Sequence, residues 1–334
     1  MKISIITTYY NSVQLGDFVN RSMECLINQS YKNIEFICVN DGSLDDTLNQ
    51  LNEYARKDHR IIVIDKENEG VAQYAKAAGQ SVATGDYIML FDHDDLISLD
   101  AIEEAVKTLK DYPYLDGVTM QVETKFENGK LKNYNNLHLG AKEMIPYSFQ
   151  ELSGRELFKL TVGRYDVHFR GLIRKEKFKF ISFRYEEKLL NGDEIVERLI
   201  FNILDRVGSC RGTYKHFIYK NSSAKSYNIK RIDIIRTDVI LREIFIDECV
   251  YENRKFIFEL TAYKNIINGF KIFRNLKRNL KYEEKEFYLR RIKDGYALLD
   301  KKIVLSNYTG INWLYNKILL SNFIIFSLFY SLKR

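Results

Sequence analysis

Proline is nearly missing from this 334-residue chain: there are two, beside 17 glycines. That scarcity excludes collagen-like, Pro-rich and linker-rich architectures. The four cysteines, Cys25, Cys38, Cys210 and Cys249, lie far apart and form no CxxC pair. Reduced structural thiols are therefore expected, rather than a zinc cluster or a secreted disulfide framework. The opening MKISIITTYY has no apolar stretch of signal-peptide length, so the expectation is a chain that stays in the cytoplasm. G-x-G-x-x-G does not follow the first strand, and G-x-x-x-x-G-K with Ser or Thr occurs nowhere. Dinucleotide and P-loop enzymes need those phosphate-binding glycines. The hydrolase elbow G-x-S-x-G is absent too. A net charge of +6 is too small for a dedicated nucleic-acid binder unless it is segregated.

It is segregated. Residues 225–334 hold 22 basic and 12 acidic side chains, which leaves residues 1–224 at −4. An acidic first part and a basic, aromatic second part predict two regions with different partners. With 46% apolar residues the chain can bury a sizeable core. The first 110 residues alternate strand and helix patterns four times: KISIITTYY, NIEFICVNDGS, RIIVIDKE and DYIMLFD, separated by FVNRSMECLINQS, TLNQLNEYARK and GVAQYAKAAGQSVAT, and followed by AIEEAVKTLK. This order predicts an α/β fold: a mostly parallel sheet, Rossmann-like, with helices on both faces. Residues 117–140 read as a hairpin turning at Asn128-Gly129. DVHFRGLIRK reads as a strand, and NGDEIVERLIF as a loop entering a helix. From about residue 230 the pattern becomes long helices.

Ligands of such sheets bind beyond the carboxyl ends of the strands. Three polar turns fall there: Thr7–Asn11, Asn40–Ser43 and Asp92–Asp95. In D-H-D-D, two carboxylates one residue apart can share a hard divalent cation and leave places for phosphate oxygens. An acidic cap before the helix at 100–110 explains the same residues, and these residues alone leave both readings open. Asp41 can accept from a base imide or a ribose hydroxyl, or cap the next helix.

Taken in order, I-I-T-T-Y-Y-N, N-Q-S-Y-K-N-I-E-F-I-C-V-N-D-G-S, D-K-E-N-E-G-V and G-D-Y-I-M-L-F-D-H-D-D resemble glycosyltransferase family 2 enzymes of the GT-A fold. The resemblance is tight over residues 1–120 and continues weakly to about 225. It implies inverting transfer from a nucleotide-diphosphate sugar, usually a UDP-sugar, with Mn²⁺ or Mg²⁺. Carried over, Thr8, Tyr10 and Asn11 line the base and ribose, and Asp41 meets the uracil. Asp92 sits by ribose and metal, His93 belongs to the same donor-binding turn, and Asp94 ligates the metal. Family members commonly have proline at the position of Thr8 and Arg-Asn at Lys76-Ala77. Lys76 keeps a charge for a phosphate or a carboxylate.

Inversion needs a general base. Asp193-Glu194 resembles the family's Glu-Asp base motif with the acids exchanged: Glu194 holds the usual position, whereas Asp193 has the usual length and is preferred. Two acids at a helix start also suit the dipole. His168 and Arg170 are candidates for the acceptor or diphosphate side. His216 is a further metal or diphosphate candidate, and Lys220 with Ser222-Ser223 for closing over pyrophosphate.

The expected division is 1–225 as the GT-A domain, with 1–115 for the donor and 116–225 for the acceptor, then a helical, basic 226–334. In KNIINGFKIFRNLKRNLKY, Phe270, Phe273, Leu276 and Leu280 share one face, with Lys271, Arg274, Lys277, Arg278 and Lys281 around another. That suits either a packed amphipathic helix or a surface for anionic lipid. In 311–330, 14 of 20 residues are apolar, interrupted by Asn312, Asn316, Lys317 and Asn322. A spanning helix is disfavoured there. The tail 311–334 is expected to lie at a membrane interface, pack in the core or form a homo-oligomer. Trp313, Tyr315, Tyr330 and terminal Lys333-Arg334 suit the interface.

Sugar transfer to a glycan or lipid-linked acceptor in surface polysaccharide or glycolipid assembly, peripherally at the inner membrane face, is the resulting expectation. The alternatives are a non-catalytic nucleotide-sugar or glycan-binding module and a sugar-phosphate nucleotidyltransferase.

Overall fold

A computed structural model describes residues 1–126, 131–135, 148–165, 167–181, 187–219 and 228–332. The chain forms two compact units. One holds Met1–Phe158, Val167–Lys188 and Val196–Ser222; the other holds Lys159–Asp166, Leu189–Ile195 and Ser223–Arg334.

The first unit is built on β1 (Ile3–Tyr9), β2 (Ile34–Asp41), β3 (Ile61–Lys66), β4 (Tyr87–Asp92), β5 (Leu96–Ile97), β6 (Gly117–Phe126), β7 (Leu131–Asn135), β8 (Glu151–Ser153), β9 (Gly171–Arg174) and β10 (Arg206–Ile218). Among the described residues these form one sheet in the order β3-β2-β1-β4-β9-β6-β10-β5, with β7 beside β6 and β8 beside β10. The four strands read from the first 110 residues are parallel neighbours. Beyond β4 the sheet is mixed: β9 runs antiparallel to β4 and β6, whereas β6 and β10 are parallel. The strand expected over DVHFRGLIRK is shorter, because only Gly171–Arg174 enter the ladder. β6 and β7 pair antiparallel as a hairpin; its expected turn at Asn128-Gly129 lies outside the described residues.

All eight residues of β2 are buried, because both of its faces are covered and both of its edges are paired. Phe36, Cys38, Met89, Phe91, Val19, Met23, Leu26 and Leu51 share one cluster. Each large apolar side chain fully removed from water contributes about 1.5–3 kcal/mol. The small-residue helix Ala72–Val82 packs so closely that a Cβ at Gly79 would stand 2.4 Å from Ile6 Cγ2.

The second unit is helical: Asp233–Asp247, Tyr251–Leu276, Tyr282–Leu298, Lys301–Ser306, Gly310–Ser321 and Phe323–Leu332. Phe270 and Phe273 are buried, and Lys271, Lys277 and Arg278 are exposed, so the apolar face packs inward. Leu280 and Lys281 fall past the end of that helix at Leu276. The helices at 310–332 bury part of the tail and leave part of it exposed. Leu319, Leu320 and Phe326 are buried, while Ile311, Leu314, Ile318, Ile324 and Leu328 are exposed. Asn316, which interrupts the apolar run in the sequence, is buried and accepts from Tyr263 Oη at 2.8 Å. No helix among the described residues is long and apolar enough to cross a membrane.

Candidate functional site

The carboxyl ends of β1, β2 and β4 converge in the first unit. Asn11 takes a left-handed conformation (φ 49°), which an asparagine tolerates better than most residues. Its Oδ1 accepts from Leu44 N at 2.8 Å, and its own N–H donates to Ser43 Oγ at 3.0 Å. Those bonds tie the β1 turn to the β2 turn. Gly42 (φ +66°) makes the second turn possible, since a Cβ there would meet Asn68 N at 2.6 Å. The β1 and β4 turns are joined where His93 Nδ1 lies 2.9 Å from Thr8 O, with its ring stacked on Tyr9 and tilted against Phe18. Tyr10 beside them is 43% exposed. Asp41 is buried at the end of β2 and accepts from Lys66 Nζ at 2.7 Å, a partner that the sequence did not suggest.

The acidic turn divides its carboxylates among three environments. Asp92 accepts from Lys76 Nζ at 3.1 Å and from Arg170 Nη1 at 2.8 Å. Burial alone would push its carboxyl up, but the two cations outweigh it and hold it well below the usual range. Lys76 thus meets a carboxylate, and Arg170 joins the same group while lying 4.8 Å from the Tyr214 ring centroid. Asp95, the last acid of D-H-D-D, is fully enclosed. It accepts from Tyr214 Oη at 2.7 Å and Phe217 N at 3.0 Å, and His216 Nδ1 lies 3.1 Å away. Its function is to anchor β10, and Tyr214, a residue the sequence reading passed over, is the buried strut. Alternation along β10 marks Tyr214 as inward-facing, but nothing local names its partner.

Asp94 differs from both. Burial, then the negative charge of Asp95, raises its carboxyl to about 6. It makes no ion pair among the described residues. The capping explanation of this acidic turn does not hold: β5 intervenes, and the helix begins only at Ala101 with Asp100 as its N-cap. Among the described residues no group of three His, Cys, Asp or Glu side chains is placed to hold a metal ion. One desolvated carboxylate fits a hard cation completed by phosphate oxygens of a ligand, the usual mode for Mg²⁺.

His168, just before β9, is held neutral by burial and by the charges of Arg170 and Arg198, which push its imidazole well below the usual value. Asp193 and Glu194 open the helix Asp193–Ile203, Asp193 exposed and Glu194 buried, and both belong to the second unit. Lys220, Ser222 and Ser223 lie outside the described residues.

A family model described as Glycosyl transferase family 2 matches residues 4–181, more than half of the chain. Glycosyltransferase GlyG of Streptococcus pneumoniae is 35% identical over 194 residues, 54% of this chain and 59% of GlyG. Glycosyltransferase GlyA of the same organism is 35% identical over 111 residues, 33% of this chain and 15% of GlyA. The chain thus matches less than two thirds of either relative's length. S. aureus TarS 1–349 in complex with UDP-GlcNAc has a TM-score of 0.61 and 16% identity, covering 99% of this chain and 89% of that one. The shared architecture is the GT-A fold, and the chain belongs to glycosyl transferase family 2.

Proposed function

We propose that this protein transfers a sugar, with inversion, from a UDP-sugar to a hydroxyl of a glycan or lipid-linked acceptor. The observation that carries the reading is the tying together of three strand-end turns, by Asn11 to Ser43 and Leu44 and by Thr8 to His93, with Lys76 of the helix Ala72–Val82 reaching Asp92. Family membership supports it, as does the fold shared with TarS, which was solved with UDP-GlcNAc and with UDP.

In this reading Thr8, Tyr10 and Asn11 line the base and ribose, and Asp41, oriented by Lys66, accepts the base imide. Asp94 holds Mn²⁺ or Mg²⁺ together with donor oxygens, and Asp92 and His216 flank it. The cation, when bound, neutralises charge on the leaving diphosphate. Arg170 and Lys76 hold Asp92 ionised throughout. Asp95 orients His216 through Nδ1, which leaves Nε2 to face outward. Asp193 takes the acceptor proton, because it is exposed where Glu194 is buried. The exposed apolar face of 311–328 rests peripherally on the inner membrane surface, beside the lipid-linked acceptor.

A panel of UDP-sugars tests the reading, by melting temperature and by UDP release with Mn²⁺, with Mg²⁺ and with EDTA. A true donor at about 100 times its dissociation constant adds about 2.7 kcal/mol of apparent stability. If no UDP-sugar stabilises the protein or is turned over, the donor reading is wrong.

A further inference from the structure

The second unit contains a cleft of about 230 Å³ with mixed polar and apolar walls, lined by Leu190, Asn191, Asp193, Arg231, Asn265 and Asn268 among others. Liquid water fills about 30 Å³ per molecule, so the cleft takes roughly eight waters, the room of one sugar or polyol unit. We propose that this cleft binds the acceptor, and that the acceptor unit it holds is an anionic polyol, with a phosphate or carboxylate beside its hydroxyls. The proposal rests on the sugar-transfer reading above.

Asn265 and Asn268 stand three residues apart on the helix Tyr251–Leu276, where they share one face. Asparagine is a poor choice inside a helix, because its side chain competes for backbone hydrogen bonds. Asn265 has a structural reason: its Nδ2 donates to Asp238 Oδ2 at 2.9 Å, and its Oδ1 still has acceptor capacity. Asn268 and Asn191 have side-chain amides without a hydrogen bond among the described residues. Amides that both donate and accept suit hydroxyls, and Leu190, Ile234 and Ile272 offer an apolar surface for the carbon skeleton.

Arg231 supplies the sign of the charge. It stands on the 3₁₀ turn Ile229–Ile232 and is half-buried, and its guanidinium makes no hydrogen bond or ion pair among the described residues. Elsewhere in this unit Arg242 pairs with Glu259 at 2.8 Å and Arg291 pairs with Asp233. A partly desolvated guanidinium lining a cleft can present a planar fork to a phosphate or carboxylate. Asp193 in the same wall is the carboxylate assigned above to the acceptor proton, so an acceptor seated here presents its hydroxyl to that group.

Titration calorimetry of the full chain with ribitol 5-phosphate, gluconate and uncharged ribitol tests the proposal. Ribitol 5-phosphate or gluconate should bind at least about tenfold more tightly than ribitol, and the stronger of the two identifies the anion. Arg231→Ala should weaken that binding about tenfold or more, as loss of a charge-assisted bond requires, while Arg231→Lys keeps part of it. Asn268→Ala should weaken it a few-fold. Melting curves of both arginine variants that match the parent exclude misfolding as the cause. Equal binding of ribitol and the charged polyols, undiminished binding in Arg231→Ala, or no saturable binding of either anion each overturns the proposal. UDP-sugar turnover by the unmodified chain, measured in parallel, separates this outcome from failure of the transferase reading.

Discussion

Arg170 donates to Asp92 Oδ2 at 2.8 Å, and this pair closes the acidic turn at the end of β4 onto the segment leading into β9. The residues are 78 positions apart in sequence. With Lys76 on the other oxygen, Asp92 stays an anion in a site where burial opposes ionisation.

Removing Arg170 should therefore matter beyond its own contacts. Arg170→Ala is expected to cost about 1–2 kcal/mol and to reduce sugar transfer, with Arg170→Lys recovering part of both. A double-mutant cycle with Asp92→Asn in urea denaturation should return a coupling of about 1 kcal/mol. Strictly additive variants would show that the contact carries no energy.

Asp94 has the opposite environment, with burial and like charge against it. Asp94→Asn should leave the melting temperature unchanged or raised in the absence of metal, since it removes an uncompensated, half-buried charge. The same variant should lose the added stabilisation by UDP with Mn²⁺ and lower transfer at least about a hundredfold. Retention of metal-dependent stabilisation would exclude Asp94 as the ligand.

Glu35 anchors the amino ends of the strands. It accepts from Ser4 Oγ and from Thr84 N and Oγ1, and pairs with Lys2. Burial raises its carboxyl, but these partners outweigh burial and lower it from 4.5 to about 2. A carboxyl lowered by folding stabilises the fold above its unfolded value and loses that contribution as pH falls from about 4.5 through 2. Glu35→Gln should flatten the urea midpoint across that interval and cost about 2 kcal/mol at neutral pH.

Asp238 has the opposite sign. Burial raises it from 3.8 to about 6 despite hydrogen bonds from Tyr165 and Asn265. Its contribution is full below about 4 and disappears as pH rises through 6. Asp238→Asn removes the proton equilibrium, so the stability of the parent relative to this variant should decline over that window. A difference independent of pH would refute the assignment.

The tail prediction is one of surface. Vesicles containing phosphatidylglycerol should bind the protein, less so as salt shortens the Debye length from about 10 Å at 0.1 M to about 3 Å at 1 M. Ile311→Ser with Leu314→Ser should weaken binding without touching the buried Leu319, Leu320 and Phe326. Deleting the whole tail would remove those core residues and expose what they pack against, and is the poorer test. Failure to bind vesicles, with a dimer in sedimentation, would assign the exposed face to a second copy.

Local information carried much of the fold. The strand-helix alternation over the first 110 residues, the apolar strands and the turns Asn40–Ser43 and Asp92–Asp95 were legible because each depends on neighbours in sequence: period, turn residues and helix propensity. Which acid in D-H-D-D does what was not legible. Asp92, Asp94 and Asp95 are the same residue type within four positions, and their differences arise from Lys76, Arg170, Tyr214 and His216, brought in from remote strands and helices. Asn316 shows the same limit, since its polar side chain breaks an apolar run until Tyr263 arrives to hydrogen-bond it. The sequence by itself determined the elements, the placing of polar turns at strand ends and the segregation of charge. Only the tertiary structure decided which carboxylate is clamped, which is an anchor and which is left without an ion pair, because burial and long-range partners set a carboxylate's charge.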